Sequence, residues 1–155
     1  MASTPDQGSF VIVEPGPGDR DGWASLWSGY CAFYAVPDTP EKADTVWAWL
    51  MDPAHPVKAF VARDEGGAIL GFTHYRPYPR PITGSTACFL DDLFVSAGAR
   101  GRGVGGALIA RVVEQARVRG WSVVRWITAE DNVRARSVYD RMADRTRWVT
   151  YEIRP

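Results

Sequence analysis

The chain has 155 residues, which is the size of one domain that buries a core without disulfides or a structural metal. Its 18 Lys and Arg residues balance 18 Asp and Glu residues, so it lacks the positive field that nucleic-acid binding needs, and nucleic acid is not expected as a partner. No segment approaches the apolar length of a membrane span, and the sequence starts without a leader-like pattern. We therefore expect a soluble, cytoplasmic protein that forms a single domain over residues 1–155 and has no membrane partner.

The cysteine content argues against disulfide and metal sites. Cys31 and Cys88 are the only two cysteines, and neither has His or Cys companions at a metal-ligand spacing. We expect both to be reduced and buried, and no metal site is predicted.

The first elements in chain order are a strand and two helices. Residues 10–14 (FVIVE) predict a strand that ends at a Pro-Gly-Pro-Gly turn. A helix capped by Asp19 or Asp21 follows, and a second helix begins at Thr39 with Pro40 at its first position. The first helix has an aromatic face at steps of three and four, made of Trp23, Leu26, Trp27, Tyr30, Phe33 and Tyr34.

The middle of the chain predicts three strands. Residues 57–78 form two strand-like runs around the turn Glu65-Gly66-Gly67. Residues 87–97 are a third apolar run, which Asp91 and Asp92 interrupt.

The remaining predicted elements are a helix over 104–119, a strand over 121–129, a helix capped at Asp131-Asn132 and a last strand over 147–153. This order predicts an α+β fold with a mixed sheet and at least one parallel crossover.

The stretch SAGARGRGVGGALIARVV, residues 96–113, joins a predicted strand to a predicted helix through a glycine-rich loop. The loop could hold the pyrophosphate of a dinucleotide, the pyrophosphate of another cofactor, or nothing. Residues 101–106 match G-x-G-x-x-G, but five residues separate them from the strand and no acidic residue follows at the dinucleotide spacing. The context therefore argues against a Rossmann site.

An alternative reading of the same loop is Arg100-x-x-Gly103-x-Gly105 leading directly into a helix. Glycines let several backbone N–H groups face one point, and a helix N-terminus adds a positive partial charge. The pattern favours a pyrophosphate cradle over a simple turn.

Two segments, FLDDLFVSAGARGRGVGGALIARVVEQARVRG and VVRWITAEDNVRARSVYDRM, resemble the GNAT acyltransferases, and the likeness extends over roughly residues 10–153. The acidic strand resembles the motif of the diamine (spermidine/spermine) N-acetyltransferase subgroup. The resemblance implies an α+β fold with a mixed, mostly antiparallel sheet and helices on both faces. It also implies a central parallel pair, strands 88–95 and 122–128, splayed around acetyl-CoA, and a homodimer.

The resemblance further implies which residues bind the coenzyme. The loop residues are Arg100, Gly101, Arg102, Gly103, Val104, Gly105 and Gly106. Backbone groups of Phe94 and Val95 would pair with the pantetheine arm and polarise the acetyl carbonyl. Asn132 would bond the arm, although its position as a helix cap is a sufficient explanation by itself. Arg134 would reach a phosphate, or lie on a solvated helix face.

The catalytic candidates are two carboxylates and a phenol. Asp91 and Asp92 are adjacent on a strand, so we expect their side chains on opposite faces. By resemblance, Asp91 accepts the amine proton through a water and Asp92 fixes the substrate or the backbone. Tyr139 lies two turns after Asn132, roughly 10 Å along the helix axis. By resemblance, Tyr139 donates a proton to the thiolate of the departing coenzyme. The alternative for Tyr139 is a core tyrosine.

The resemblance implies transfer of an acetyl group from acetyl-CoA to an amine. We expect the molecule that accepts the acetyl group to be a small primary amine, polyamine-like or lysine-like. Trp27, Tyr30 and Tyr34, together with Asp92, would bind its ammonium group and alkyl stem. A protein or peptide amine, or a non-catalytic acyl-CoA sensor, are the alternatives. His55 and His74 have no partner at a catalytic spacing and are assigned no role.

Overall fold

The structure is a computed structural model that describes residues 9–155. Residues 1–8, for which the sequence predicted no leader, lie outside the described part. The elements are β1 (Phe10–Val13), α1 (Arg20–Phe33), α2 (Pro40–Met51), β2 (Lys58–Asp64), β3 (Ile69–Arg80), β4 (Ser85–Val95), α3 (Val104–Arg119), β5 (Val124–Arg125) and α4 (Val133–Met142).

The five strands form one sheet in the order β1-β2-β3-β4-β5. The first four are antiparallel neighbours, and β5 lies parallel to β4 after the α3 crossover. The parallel pairing is limited to Cys88 opposite Val124 and Phe89 opposite Arg125. Within the described residues, no strand lies beside β4 on this side after Phe89, and the site described below lies there.

Helices cover both faces of the sheet. The α1 and α2 face is aromatic and contains a buried cluster of Trp23, Trp27, Cys31, Val46, Trp47, Val61 and Phe72. The α3 face buries aliphatic side chains, among them Leu90, Val104, Leu108, Ile109 and Val112. Cys31 and Cys88 are free and buried, which confirms the expectation for them.

Two helix ends follow the chemistry of their caps, whereas the Asp19 side chain at the start of α1 makes no capping bond. The Thr39 hydroxyl accepts the Lys42 N–H at 3.2 Å, and α3 ends at Gly120, whose φ of 70° suits glycine.

Among residues 9–155, no helix has both the length and the hydropathy to cross a bilayer.

A β-bulge interrupts β4 at Asp91. The register places His74 opposite Asp92 and Tyr75 opposite Leu90, so Asp91 is an extra residue in β4. A bulge bends its strand and interrupts the alternation of side chains. This irregularity cannot be read from the composition of the strand.

The C-terminal part differs from the sequence prediction. The strand expected over 121–129 is reduced to β5, and residues 147–153 form no strand. Trp148 is 79% exposed and Tyr151 is 90% exposed. An extended segment becomes a strand only when another strand pairs with it, and no described residue of this chain does so. The parallel pair therefore lies at the edge of the five-stranded sheet.

Candidate functional site

A cavity of about 420 Å³ opens where the end of β4 meets α1, α3 and α4. Its lining residues are Tyr30, Phe33, Tyr34, Leu93, Phe94, Val95, Arg100, Gly105, Ile109, Asn132, Arg134, Ala135, Val138 and Tyr139. The cavity thus brings together three segments that are far apart in sequence: α1, the glycine loop (residues 96–106) and α4.

The glycine loop leads into an uncapped helix N-terminus, which reaches this cavity at Gly105. Gly101 and Gly103 have φ of 81° and 78°, a region where a side chain would be strained. Gly103 occupies the N-cap position of α3, and neither a capping side chain nor an acidic residue satisfies the first turn. The first intrahelical bond runs from the Ala107 N–H to the Gly103 carbonyl, so the earlier N–H groups have no intrahelical acceptor. These orphan donors beside Arg100 fit a phosphate group.

The other loop residues lie around this turn rather than on the cavity wall. Gly101, Arg102, Gly103 and Gly106 do not line the cavity. The Arg102 guanidinium lies 6.0 Å from the centre of the Phe10 ring. Val104 is 1% exposed and belongs to the core on the α3 face.

The end of β4 supplies an open strand edge. Phe94 and Val95 line the cavity, and the pairing with β5 stops at Phe89. The backbone on this side of β4 therefore faces the cavity instead of a neighbouring strand.

Helix α4 forms another wall of the cavity. The Asn132 side chain accepts the Ala135 N–H at 3.3 Å, so it caps the helix as expected. Its Nδ2 donates to Thr128 Oγ1 at 3.4 Å. Tyr139 also lines the cavity, and its ring packs edge-on against Trp126 at 5.5 Å. Burial raises the pKa of Tyr139, which keeps this phenol protonated near neutral pH.

The two aspartates lie on the same side of the sheet, so the expectation that they face opposite sides is wrong. Asp92 bonds His74 and Asp91 bonds Arg76, and these partners are two residues apart on one face of β3. The bulge at Asp91 is the physical cause. Neither carboxylate lines the cavity directly.

The carboxylates differ in their proton affinity. Burial acts to raise the pKa of Asp92, but hydrogen bonds from His74 and Tyr30 outweigh it and bring the pKa below its ordinary value. For Asp91, burial raises the pKa, and the Arg76 guanidinium at 3.1 Å offsets it only in part. Asp92 therefore favours its charged form more than Asp91 does, and Asp91 takes up a proton more readily.

Asp92 belongs to a buried hydrogen-bond network that the sequence did not reveal. The network joins Trp23 Nε1 to His74 Nε2 at 3.0 Å, His74 Nδ1 to Asp92 Oδ2 at 2.9 Å, and the Tyr30 hydroxyl to Asp92 Oδ1 at 2.7 Å. His74 is 2% exposed. Its partners lie 51 and 18 residues away, so no local spacing could have indicated them. The one available signal was a histidine in an apolar strand next to the acidic strand.

Tyr30, Phe33 and Tyr34 form an aromatic wall of the cavity. The Tyr30 and Tyr34 rings meet edge-on at 5.0 Å. Trp27, expected in the same role, does not line the cavity. Its ring stacks on Trp23 at 5.6 Å in the core cluster, because the helix directs that residue toward the sheet.

Among residues 9–155, no group of three His, Cys, Asp or Glu side chains is placed to hold a metal ion.

Comparison with known proteins gives a consistent result. Residues 23–143 match the family described as Acetyltransferase (GNAT) family. The chain is 34% identical to the D-amino-acid N-acetyltransferase HPA3 of Saccharomyces cerevisiae, over 92% of this chain and 89% of that protein. The ribosomal-protein-alanine N-acetyltransferase from Brucella melitensis superposes with a TM-score of 0.80 at 27% identity, covering 94% and 99% of the two chains. The aminoglycoside N-acetyltransferase AAC(6')-Iy in complex with CoA, 21% identical over 97% and 98%, shares the fold at a TM-score of 0.80.

Proposed function

Because this chain belongs to the acetyltransferase (GNAT) family, we propose that this acetyl-CoA-dependent N-acetyltransferase acetylates a small primary amine, polyamine-like or lysine-like. Its mixed five-stranded sheet with one parallel pair is the GNAT fold. One observation supports the proposed acceptor most directly: a single cavity connects the uncapped N-terminus of α3 to Tyr30, which is bonded to the buried anion Asp92. The first feature suits the phosphates of a coenzyme, and the second suits a cation.

We assign the coenzyme side of the cavity to the glycine loop and its neighbours. The first-turn N–H groups of α3 and the Arg100 guanidinium would hold the pyrophosphate, with Gly101 and Gly103 providing the turn. The open edge of β4 at Phe94 and Val95 would bind the pantetheine arm. The other proposed contacts come from Arg102, Val104, Gly105, Gly106, Asn132 and Arg134. When bound, acetyl-CoA supplies the acetyl group and the sulfur that leaves.

Proton handling is divided between two side chains in this proposal. Tyr139 holds its proton on Oη at neutral pH and is placed in the cavity wall to donate it. Asp91, whose pKa burial raises, would accept the amine proton through a water because it does not line the cavity itself. Asp92 stays anionic and contributes negative charge near the acceptor.

A second candidate acceptor is the α-amine of an amino acid. It is favoured by the identity of 34% to a protein named as a D-amino-acid N-acetyltransferase. This candidate and the polyamine-like one share an amine at the aromatic wall, and they differ in the charge on the rest of the molecule.

The test is a thiol-release assay with acetyl-CoA against polyamines, lysine, D- and L-amino acids, aminoglycosides and short peptides. We expect turnover on one class of small amine, and a loss of kcat of about 100-fold or more in Tyr139→Phe. Coenzyme A should raise the Tm of both proteins equally. Turnover on peptides alone would overturn the small-molecule acceptor, and a Tm shift without any turnover would favour an acyl-CoA sensor.

The resemblance to the diamine acetyltransferase subgroup, the cytoplasmic location and the homodimer stay predictions. The amine panel addresses the first, and fractionation and sedimentation address the other two.

A further inference from the structure

The direction of each hydrogen bond in the buried network follows from the atoms involved. An indole N–H can only donate, so Trp23 Nε1 makes His74 Nε2 an acceptor without a proton. The proton of the neutral His74 ring is then on Nδ1, which donates to Asp92 Oδ2. Both rings are buried, at 0% and 2% exposure, so water does not compete for these bonds.

Asp92 transmits this fixed direction to Tyr30. The hydrogen bonds keep Asp92 ionised, and an ionised carboxylate can only accept. Its Oδ1 lies 2.7 Å from the Tyr30 hydroxyl, so the single proton of that phenol is used in this bond. The oxygen of Tyr30 is left with lone pairs only for any molecule in the cavity.

We propose that Tyr30 Oη positions the acceptor by receiving an N–H hydrogen bond from its amine, and that Asp92, His74 and Trp23 act through Tyr30 as positioning residues. The inference rests on the proposed amine acceptor. It goes further by stating that the acceptor meets a phenol oxygen rather than either aspartate, because only Tyr30 of this network lines the cavity.

The surroundings of Tyr30 favour an amine over a neutral hydroxyl compound. The ring of Tyr34 lies 5.0 Å away and that of Phe94 lies 5.9 Å away, and the face of an aromatic ring attracts an alkylammonium group. The negative charge of Asp92 lies directly behind the phenol. An N–H donor is therefore attracted, whereas the lone pairs of a hydrogen-bond acceptor are repelled.

The first experiment tests the direction of the network without requiring turnover. The chain has two histidines, and the hydrogen bonds of their rings predict opposite neutral tautomers. His74 should carry its proton on Nδ1, whereas His55 Nδ1 accepts the Val57 N–H at 3.1 Å and should carry its proton on Nε2. Nitrogen-15 NMR of the imidazoles at neutral pH distinguishes the two forms. A proton on Nε2 of His74 would overturn the inference.

The second experiment is a double-mutant cycle on the amine found by the panel. Tyr30→Phe removes the oxygen and should lower kcat/KM for the amine by about 10- to 100-fold, the effect of losing a hydrogen bond to a charged group. KM for acetyl-CoA and the Tm shift with coenzyme A should stay unchanged. Tyr78→Phe, at a half-buried tyrosine that does not line the cavity, is the matched control and should keep the wild-type kcat/KM.

Asp92→Asn completes the cycle because it reverses the direction of the hydrogen bond between Tyr30 and the side chain at position 92. The oxygen of the introduced amide would accept from His74, so its NH₂ group would donate to Tyr30 and turn the hydroxyl proton toward the cavity. The loss in Asp92→Asn should equal or exceed that in Tyr30→Phe, and Tyr30→Phe/Asp92→Asn should be no worse than Asp92→Asn. Additive losses, or wild-type activity in Tyr30→Phe, would overturn the inference. Absence of turnover on every amine would instead overturn the proposed acceptor, while the histidine tautomers would still test the network.

Discussion

The glycine loop and the aromatic wall form two sides of one cavity, but they are built from different parts of the polypeptide. The loop presents backbone N–H groups at a turn that two glycines with positive φ form, and these groups are the ones proposed to hold the coenzyme. The aromatic wall presents the Tyr30 oxygen, whose hydrogen bond belongs to a network with Trp23, His74 and Asp92 in three separate elements. The first side is therefore specified by a short segment of sequence, and the second side is specified by tertiary packing. Changes to one side should therefore leave the chemistry of the other intact.

The largest effect is expected at the buried end of the network. Trp23→Phe removes the donor to His74 and leaves a small cavity at a fully buried position, so the free energy of unfolding should fall by about 2–4 kcal/mol. Urea denaturation measures this change. The same substitution at Trp148, which is 79% exposed, should change it by less than about 0.5 kcal/mol. A mild effect at Trp23 would mean that the aromatic side does not depend on its buried bonds.

A smaller effect is expected in the glycine loop. Gly103→Ala places a side chain at φ of 78°, which costs about 1–2 kcal/mol of stability even though nothing lies within 4 Å of the new methyl group. We expect weaker binding of coenzyme A by calorimetry and an unchanged KM for the amine. Gly98→Ala is the control, because Gly98 is also in open space but has no positive φ. Equal losses in both variants would contradict the backbone argument.

The smallest effect is the acid dependence of the two aspartates, which should have opposite signs. The pKa of Asp92 is lowered in the folded state, so its contribution to stability is present above the unfolded value of about 3.9 and is lost as the pH falls through the folded pKa. The pKa of Asp91 is raised, so its contribution is present below the unfolded value and is lost as the pH rises through the folded pKa.

Thermal unfolding of Asp91→Asn and Asp92→Asn between pH 3 and pH 8 measures this difference. Asp92→Asn should be destabilised most at neutral pH and approach the wild type in acid. Asp91→Asn should lose little stability, or gain some, at neutral pH, because the charged form of the Asp91 carboxylate is unfavourable there. Parallel curves for the two variants would show that the bulge does not separate their environments.

The sequence predicted the features that short segments determine. The glycine-rich loop before a helix, the Asn132 cap and the Tyr139 position follow from spacings of a few residues, and the structure places Arg100, Asn132 and Tyr139 on one cavity. The side of the sheet for Asp91 could not be predicted, because the bulge depends on the register with β3. The sequence cannot indicate the role of His74 because its partners come from distant elements, and it cannot separate Trp27 from the wall because a helical pattern does not distinguish the core from a cavity beside it.

The extra residue in β4 gives this strand an unusual tolerance to a change of length. Deleting one residue from a regular strand moves every following side chain to the other face. Without Asp91, however, Leu90 would still face α3, Asp92 would still face α1 and Leu93 would still face α3, because the bulge already interrupts the alternation there. Such a deletion would keep the core in phase while removing the bulge and the ion-pair partner of Arg76. The bulge is thus the point of β4 where evolution could remove a residue without turning the core side chains to the other face.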